Sequence, residues 1–137
     1  MQDNLSSVIA GSCSCLEAGI RLMALAMDQA TWSQETFGKD PEYPETPTGE
    51  ERGPIGALKH LEREAREAQA QPLDVTEYAD CLLLVLDSSR RAGFRIRDLI
   101  TAAENKMVIN KARRWPKTHG DVPTEHVREE VPCGGTA

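Results

Sequence analysis

Glu64 and Glu67 stand three residues apart, and so do Glu77 and Asp80. On a helix that spacing puts both members of a pair on one side. Pro72 interrupts the stretch between the pairs, so the expectation is two helices joined by a tight turn, antiparallel, with their acids facing one point. Carboxylates gathered at one point repel each other, and a hard divalent cation with oxygen ligands is the natural counter-charge. Taken singly, the acids have ordinary explanations. Arg63, Arg66 or Arg90 could pair with Glu64 and Glu67, and Asp74 with Glu77 has the spacing of a capping box. Asp80 has no such explanation, because it interrupts an otherwise apolar run from Tyr78 to Leu86, where a carboxylate is costly without a partner.

Further polar groups fall around these pairs. Lys106, Asn110 and Arg113 follow intervals of four and three and share one face of a later helix. Alone they read as a solvated face; beside an acidic cluster, two cations and an amide are suited to holding a polyphosphate. His60 precedes Glu64 by four residues and lies along the same edge, either as a second layer behind a metal or as a plain surface histidine. Trp32 and Phe37 read as core or subunit-interface residues, with stacking on a purine as the lesser role.

The elements that must position these residues are helical throughout. Leu16, Ile20, Met23 and Met27 form one apolar stripe, and a helix read from Leu16 continues to Gly38, a natural stop. Lys39 to Pro54 carries four prolines and two glycines, which forbids a regular helix and predicts a long loop. A second helix is expected from about Gly56 to Ala70, with Leu58, Leu61, Ala65 and Ala68 inward. The third starts near Asp74, is central because it is apolar nearly all round, and closes at Gly93. The fourth runs from about Ile96 to Arg113, with Ile96, Ile100, Ala103 and Met107 as its core stripe. The predicted class is all-α, a bundle of four to five helices. It is expected to comprise a flexible N-terminus over 1–15, a helical domain over 16–115 and an irregular tail over 116–137.

Composition excludes some functions. The chain has 137 residues, a formal net charge of -6 and 4% aromatic residues. An acidic chain is a poor general binder of polymeric nucleic acid or of an anionic membrane, and so few aromatics do not make a base-stacking platform. No apolar run is long enough to span a bilayer. Cys13, Cys15, Cys81 and Cys133 lack a usual zinc spacing and read as free thiols in a reducing cytoplasm.

Several segments together resemble a known family. They are Trp32-Ser33 with Thr36-Phe37-Gly38; Gly53-Pro54-Ile55-Gly56; Leu58-Lys59-His60-Leu61-Glu62-Arg63-Glu64; Asp74-Val75-Thr76-Glu77-Tyr78-Ala79-Asp80; Arg90-Arg91-Ala92-Gly93; and the run Lys106 to Pro116. Over roughly residues 30–128 the chain is similar to the all-α nucleoside triphosphate pyrophosphohydrolases of the MazG-like superfamily, in its dATP/dGTP diphosphohydrolase branch. The resemblance implies that Glu64, Glu67, Glu77 and Asp80 bind Mg²⁺ or Mn²⁺, two or more per site. It implies that Lys106, Asn110 and Arg113 grip phosphates, and it assigns Trp32 and Phe37 to the base or sugar.

The implied reaction cleaves a purine (deoxy)nucleoside triphosphate, dGTP or dATP, to the monophosphate and pyrophosphate. A metal-activated water attacks the α-phosphorus, and Glu64 or Glu67 takes its proton. A homodimer or homotetramer in a bacterial cytoplasm or a phage-infected host is implied as well. The chain departs from the superfamily at Arg63, which stands where a second glutamate is frequent. Rival readings are a pyrophosphatase of another nucleotide (dUTP, phosphoribosyl-ATP or a damaged pyrimidine triphosphate) and a non-catalytic helical interaction module.

Overall fold

The computed structural model describes residues 3–43 and 51–128, with side chains from Ser14 onward within those ranges. Its helices are α1 (Asp3–Phe37), α2 (Pro54–Ala70), α3 (Val75–Arg91) and α4 (Ile96–Ala112), and no strand occurs among the described residues. The all-α class is therefore as expected. The chain divides into two compact units, Met1–Leu99 and Ile100–Ala137.

Local chemistry sets most of the helix boundaries. The backbone of α1 is helical from Asp3, several turns before the Leu16 start that the apolar stripe suggested. Leu5, Val8 and Ile9 already carry helical spacing upstream of Leu16, but the small and polar residues around them break the stripe. Gly38, at φ 102°, ends α1, and its N–H donates to Gln34 O at 3.1 Å. Pro54 opens α2 directly after Gly53; at the first helical position its locked φ helps and its missing N–H costs nothing. Part of the proline-rich loop, residues 44–50, lies outside the described residues.

The α2–α3 turn is tight. Gln71 N–H donates to Glu67 O at 2.9 Å, and Asp74 N–H donates to Gln71 O at 3.0 Å. Asp74 caps α3, accepting from Thr76 N–H at 2.9 Å and from the Thr76 hydroxyl at 2.6 Å. Only half of the capping box forms. The Asp74 N–H is used by the turn, so the Glu77 carboxylate is not recruited to cap. At the other end, Gly93 N–H bonds Arg90 O and Phe94 N–H bonds Ser89 O, the paired pattern of a glycine-terminated helix. Gly93 has φ 90°, and a Cβ there would come within 3.2 Å of the Tyr43 ring.

α3 packs against both α2 and α1, which makes it the central helix of its unit, as its apolar character predicted. The contents of the packed interior differ from expectation. Among the described residues the buried apolar side chains are Pro41, Ala57, Ala68 and Leu86, whereas Gln29, Ser33, Asp87, Ser88 and Arg91 are buried polar ones. The predicted α1 stripe of Leu16, Ile20, Met23 and Met27 is exposed, at 68, 61, 42 and 70%. The face of α1 turned inward is the polar one carrying Gln29 and Ser33. On α2 the expected Leu58 is 46% exposed, and Ala57 takes its place. No residue of α4 is buried, so the stripe of Ile96, Ile100, Ala103 and Met107 is not covered by the described residues.

The buried polar groups form one charge-balanced network of two aspartates and two arginines. Asp87 Oδ1 accepts from Ser33 Oγ at 2.6 Å, Gln29 Nε2 at 3.1 Å and Arg90 Nη2 at 2.7 Å, and Asp87 Oδ2 accepts from Arg91 Nε at 3.1 Å. Arg91, fully buried, also donates to Ser33 Oγ and to the carbonyls of Gly38, Ser33 and Arg52. Arg90 reaches Asp40 Oδ2 at 2.8 Å and Gln29 Oε1 at 2.8 Å. Asp40 Oδ1 lies 3.4 Å from Arg91 Nη1 as an ion pair, without hydrogen-bond geometry. This network ties the end of α1 and the entry to α2 onto α3.

In the second unit, the segment after α4 is irregular but ordered by specific bonds. Trp115 Nε1 donates to Asn110 O at 2.7 Å, Val127 N–H donates to Arg114 O at 3.0 Å, and Trp115 meets His126 edge-on at 6.0 Å.

Candidate functional site

Glu64, Glu67 and Glu77 come together. Each offers a carboxylate oxygen, and these oxygens lie within 4.8 Å of one another. Two come from α2 and one from α3, so the turn at Gln71–Asp74 is what converts sequence spacing into convergence. Glu64 and Glu77 are half-buried and Glu67 is exposed. Partial removal from water pushes the Glu77 carboxyl above its ordinary range, and the negative charges of Glu67, Asp74, Asp80 and Glu64 push it the same way. A carboxylate in that position favours either a proton or a cation.

Asp80 is outside this three-oxygen cluster. It is exposed, although it borders the same cavity as Glu64. Arginines do not quench the cluster in the way the ordinary explanation required. Arg66 pairs with Glu62 at 2.6 Å, and Arg90 is committed to Asp40 and Asp87. His60 Nε2 does meet Glu64 Oε1, at 2.6 Å. If the ring donates there, the bond fixes one oxygen of Glu64 and leaves the other free to ligate.

A cavity of about 240 Å³ runs beside the cluster. It is lined by Trp32, Phe37, Arg52 and His60 together with Glu64, Asp80, Leu83 and Leu84, and it ends on the polar network at Gln29, Ser33 and Asp87. Trp32 and Phe37 meet edge to face at 5.3 Å and are 56 and 44% exposed, so they are wall residues of a cleft and not core. Lys106, Asn110 and Arg113 belong to the second unit. Lys106 is exposed, Asn110 and Arg113 are half-buried, and the Asn110 carbonyl is occupied by Trp115.

Sequence reasoning missed Gln29, Ser33, Asp40, Arg52 and Asp87. The signal available was the four-residue spacing of Gln29 and Ser33 and the charge at Asp87 directly after an apolar run. Cys15 and Cys81 are free thiols; Cys13 and Cys133 lie outside the residues whose side chains are described.

Fold and site together define a class: an all-α protein in which three carboxylates from two adjacent helices converge beside an aromatic-walled cavity. Residues 25–132 match the family described as dATP/dGTP pyrophosphohydrolase, and the chain belongs to that family. It is 38% identical over 103 residues to the "Eaa protein" of Salmonella phage P22, a match covering 75% of this chain and 29% of that protein. It is 35% identical over 97 residues to a "dATP/dGTP diphosphohydrolase" of Salmonella phage PMBT28, covering 70% of this chain and 28% of the relative. The matched region thus spans less than a third of either relative's length. No solved structure matches the chain. No helix among the described residues is long and apolar enough to cross a membrane.

Proposed function

We propose that this chain is a nucleoside triphosphate pyrophosphohydrolase acting on a purine deoxynucleoside triphosphate, dGTP or dATP, with release of the monophosphate and pyrophosphate. The observation that carries the reading is the convergence of Glu64, Glu67 and Glu77 beside an aromatic-walled cavity. Family membership and the name of the PMBT28 relative support the same chemistry. The donor set fits a divalent cation: three carboxylates, no sulfur or imidazole ligand, and a raised Glu77 that gains by exchanging a proton for a metal. Mg²⁺ or Mn²⁺ is the proposed ion, held by Glu64, Glu67 and Glu77, with Asp80 as a further ligand. When bound, such an ion offsets the charge of the triphosphate and makes water a better nucleophile.

The chain's own residues supply the rest. The His60 bond holds Glu64 in one orientation. Glu67, the most solvent-accessible of the three, is placed to accept the proton of the attacking water, which leaves Glu64 as the alternative base. Trp32 and Phe37 offer ring faces and edges to a base. For Lys106, Asn110 and Arg113 the support is the family-like motif, and the proposed role is to balance charge on the departing pyrophosphate.

The test is pyrophosphate release from dGTP, dATP, dUTP, phosphoribosyl-ATP and oxidised pyrimidine triphosphates, each with and without Mg²⁺ or Mn²⁺. Purine-specific, cation-dependent release is expected. Preference for dUTP or phosphoribosyl-ATP would replace the substrate assignment, and silence on every nucleotide would leave a non-catalytic module.

We also propose a homodimer or homotetramer. Exposed Leu16, Ile20, Met23 and Met27 lie on one face of α1, and apolar residues gathered in this way mark an association surface. Light scattering coupled to size exclusion should return at least twice the chain mass of 15.1 kDa. A monomer at micromolar concentration would end that reading.

A further inference from the structure

We propose that Arg52 reads the base: its guanidinium contacts the N7 and O6 edge of a bound guanine and makes the site favour guanine over adenine. The proposal rests on the purine triphosphate reading above and deepens it.

Arg52 differs from the other arginines at this end of the bundle. Arg90 and Arg91 are consumed by Asp40, Asp87 and backbone carbonyls. No carboxylate among the described residues pairs with Arg52. Its guanidinium instead lies over the Phe37 ring, with Cζ 4.7 Å from the centroid, and it lines the cavity together with Trp32 and Glu64. The side chain is half-buried, so the positive charge is partly desolvated and its donors have a reason to seek acceptors.

The residue is also held in place by its backbone. Its N–H donates to Lys39 O at 3.0 Å, and its carbonyl accepts from the buried Arg91 at 2.9 Å. A substrate that used this guanidinium would not have to order the chain beneath it, which keeps the entropic cost of binding low.

Position selects the base over the phosphates. Arg52 sits just before the first turn of α2, and Glu64 lies nearly three turns on. At a rise of about 1.5 Å per residue, Pro54 and Glu64 are roughly 15 Å apart along the axis. Phosphates belong at the carboxylate end, where the cation would be held. A base tethered through its sugar then falls toward the aromatic end, where Trp32, Phe37 and Arg52 stand together. The N–H groups of a guanidinium lie in its own plane as a fixed fork. That planar fork matches two adjacent acceptors. Guanine presents N7 and O6 side by side, whereas adenine presents N7 beside an N6 amino donor that opposes the fork.

The experiment compares wild type, Arg52→Ala and Arg52→Lys in steady-state hydrolysis of dGTP, dATP, dITP and 7-deaza-dGTP with Mg²⁺. Wild type is expected to favour dGTP over dATP in kcat/KM by roughly ten- to a hundredfold, to treat dITP like dGTP, and to lose efficiency on 7-deaza-dGTP. In Arg52→Ala the dGTP/dATP ratio should collapse toward one, and 7-deaza-dGTP should become equivalent to dGTP. Arg52→Lys, with a single point of donation, should recover part of the ratio and serves if the alanine variant fails to fold. A proportional loss on dGTP and dATP, with the ratio unchanged, would show a phosphate-holding or structural role and overturn the proposal. Wild-type indifference to the N7 replacement would do the same. No turnover of any purine triphosphate by wild type would instead overturn the function reading, and this inference with it.

Discussion

Glu64→Gln should lower pyrophosphate release by on the order of 10²–10³-fold, while the circular dichroism spectrum keeps its helical signal. The Glu64 side chain is only 14% exposed, and His60 holds it at 2.6 Å. Gln preserves shape and removes the charge that a cation needs. Glu77→Gln is the companion variant, with a distinctive stability signature. The Glu77 carboxyl is raised by desolvation and by its acidic neighbours, so removing its charge relieves repulsion. Metal-free Glu77→Gln should melt no lower than wild type.

Cation binding separates a functional cluster from a merely solvated one. Wild type should gain about 2.7 kcal/mol of stability when Mg²⁺ or Mn²⁺ is present at a hundredfold excess over its Kd, and both variants should lose most of that gain. Loss of activity with an undiminished cation response would move the metal elsewhere. Full activity in Glu64→Gln would remove the site altogether.

The largest stability effect is expected at Asp87, away from the carboxylate cluster. Asp87→Asn should cost roughly 3–5 kcal/mol, because it leaves two guanidinium groups, one of them fully buried, with Asp40 as their one carboxylate in the network. Arg91 has no exposed surface, so it cannot turn to water in compensation. Urea unfolding followed by helical signal measures the loss directly, and a change below about 1 kcal/mol would show that Asp40 alone suffices to balance the pair.

The same residue predicts acid sensitivity. Burial pushes the Asp87 carboxyl upward, but hydrogen bonds from Ser33 and Gln29 and the charge of Arg91 more than offset this, and the net shift is downward from 3.8. An acid with a depressed folded value contributes stability that is complete above its unfolded value and lost as pH falls through the folded one. Wild type should therefore lose stability as pH drops below about 3.8, and Asp87→Asn should lack that component.

The Asp87 network also explains how much of the site could be read in advance. The gathering of Glu64, Glu67 and Glu77 was partly legible because periodicity is a local property: residues three apart on a helix share a face whatever the helix packs against. His60 was legible for the same reason. Asp80 passed the spacing criterion but lies outside the cluster, because the turn geometry decides which of two in-line acids reaches across to α2. The apolar stripe of α1 was correctly seen as a stripe, but spacing does not say whether a stripe faces its own core or another molecule. In this chain α1 turns Gln29 and Ser33 inward, and the stripe faces out.

The order of residues alone determined the all-α class, the breaks at Gly38, Pro54, Pro72 and Gly93, and the acidic pairs, since each depends on groups within about one helical turn. Tertiary structure decided the rest. It brought carboxylate oxygens of Glu64, Glu67 and Glu77 within 4.8 Å of one another, turned Arg90 and Arg91 from surface charges into the buried tie between α1, α2 and α3, and left Arg52 lining an aromatic cavity with no acidic partner among the described residues. The buried tie depends on pairs more than thirty residues apart, such as Gln29 with Asp87 and Arg91 with the Arg52 carbonyl. Their energies come from desolvation and mutual charge, which exist only once the helices have met.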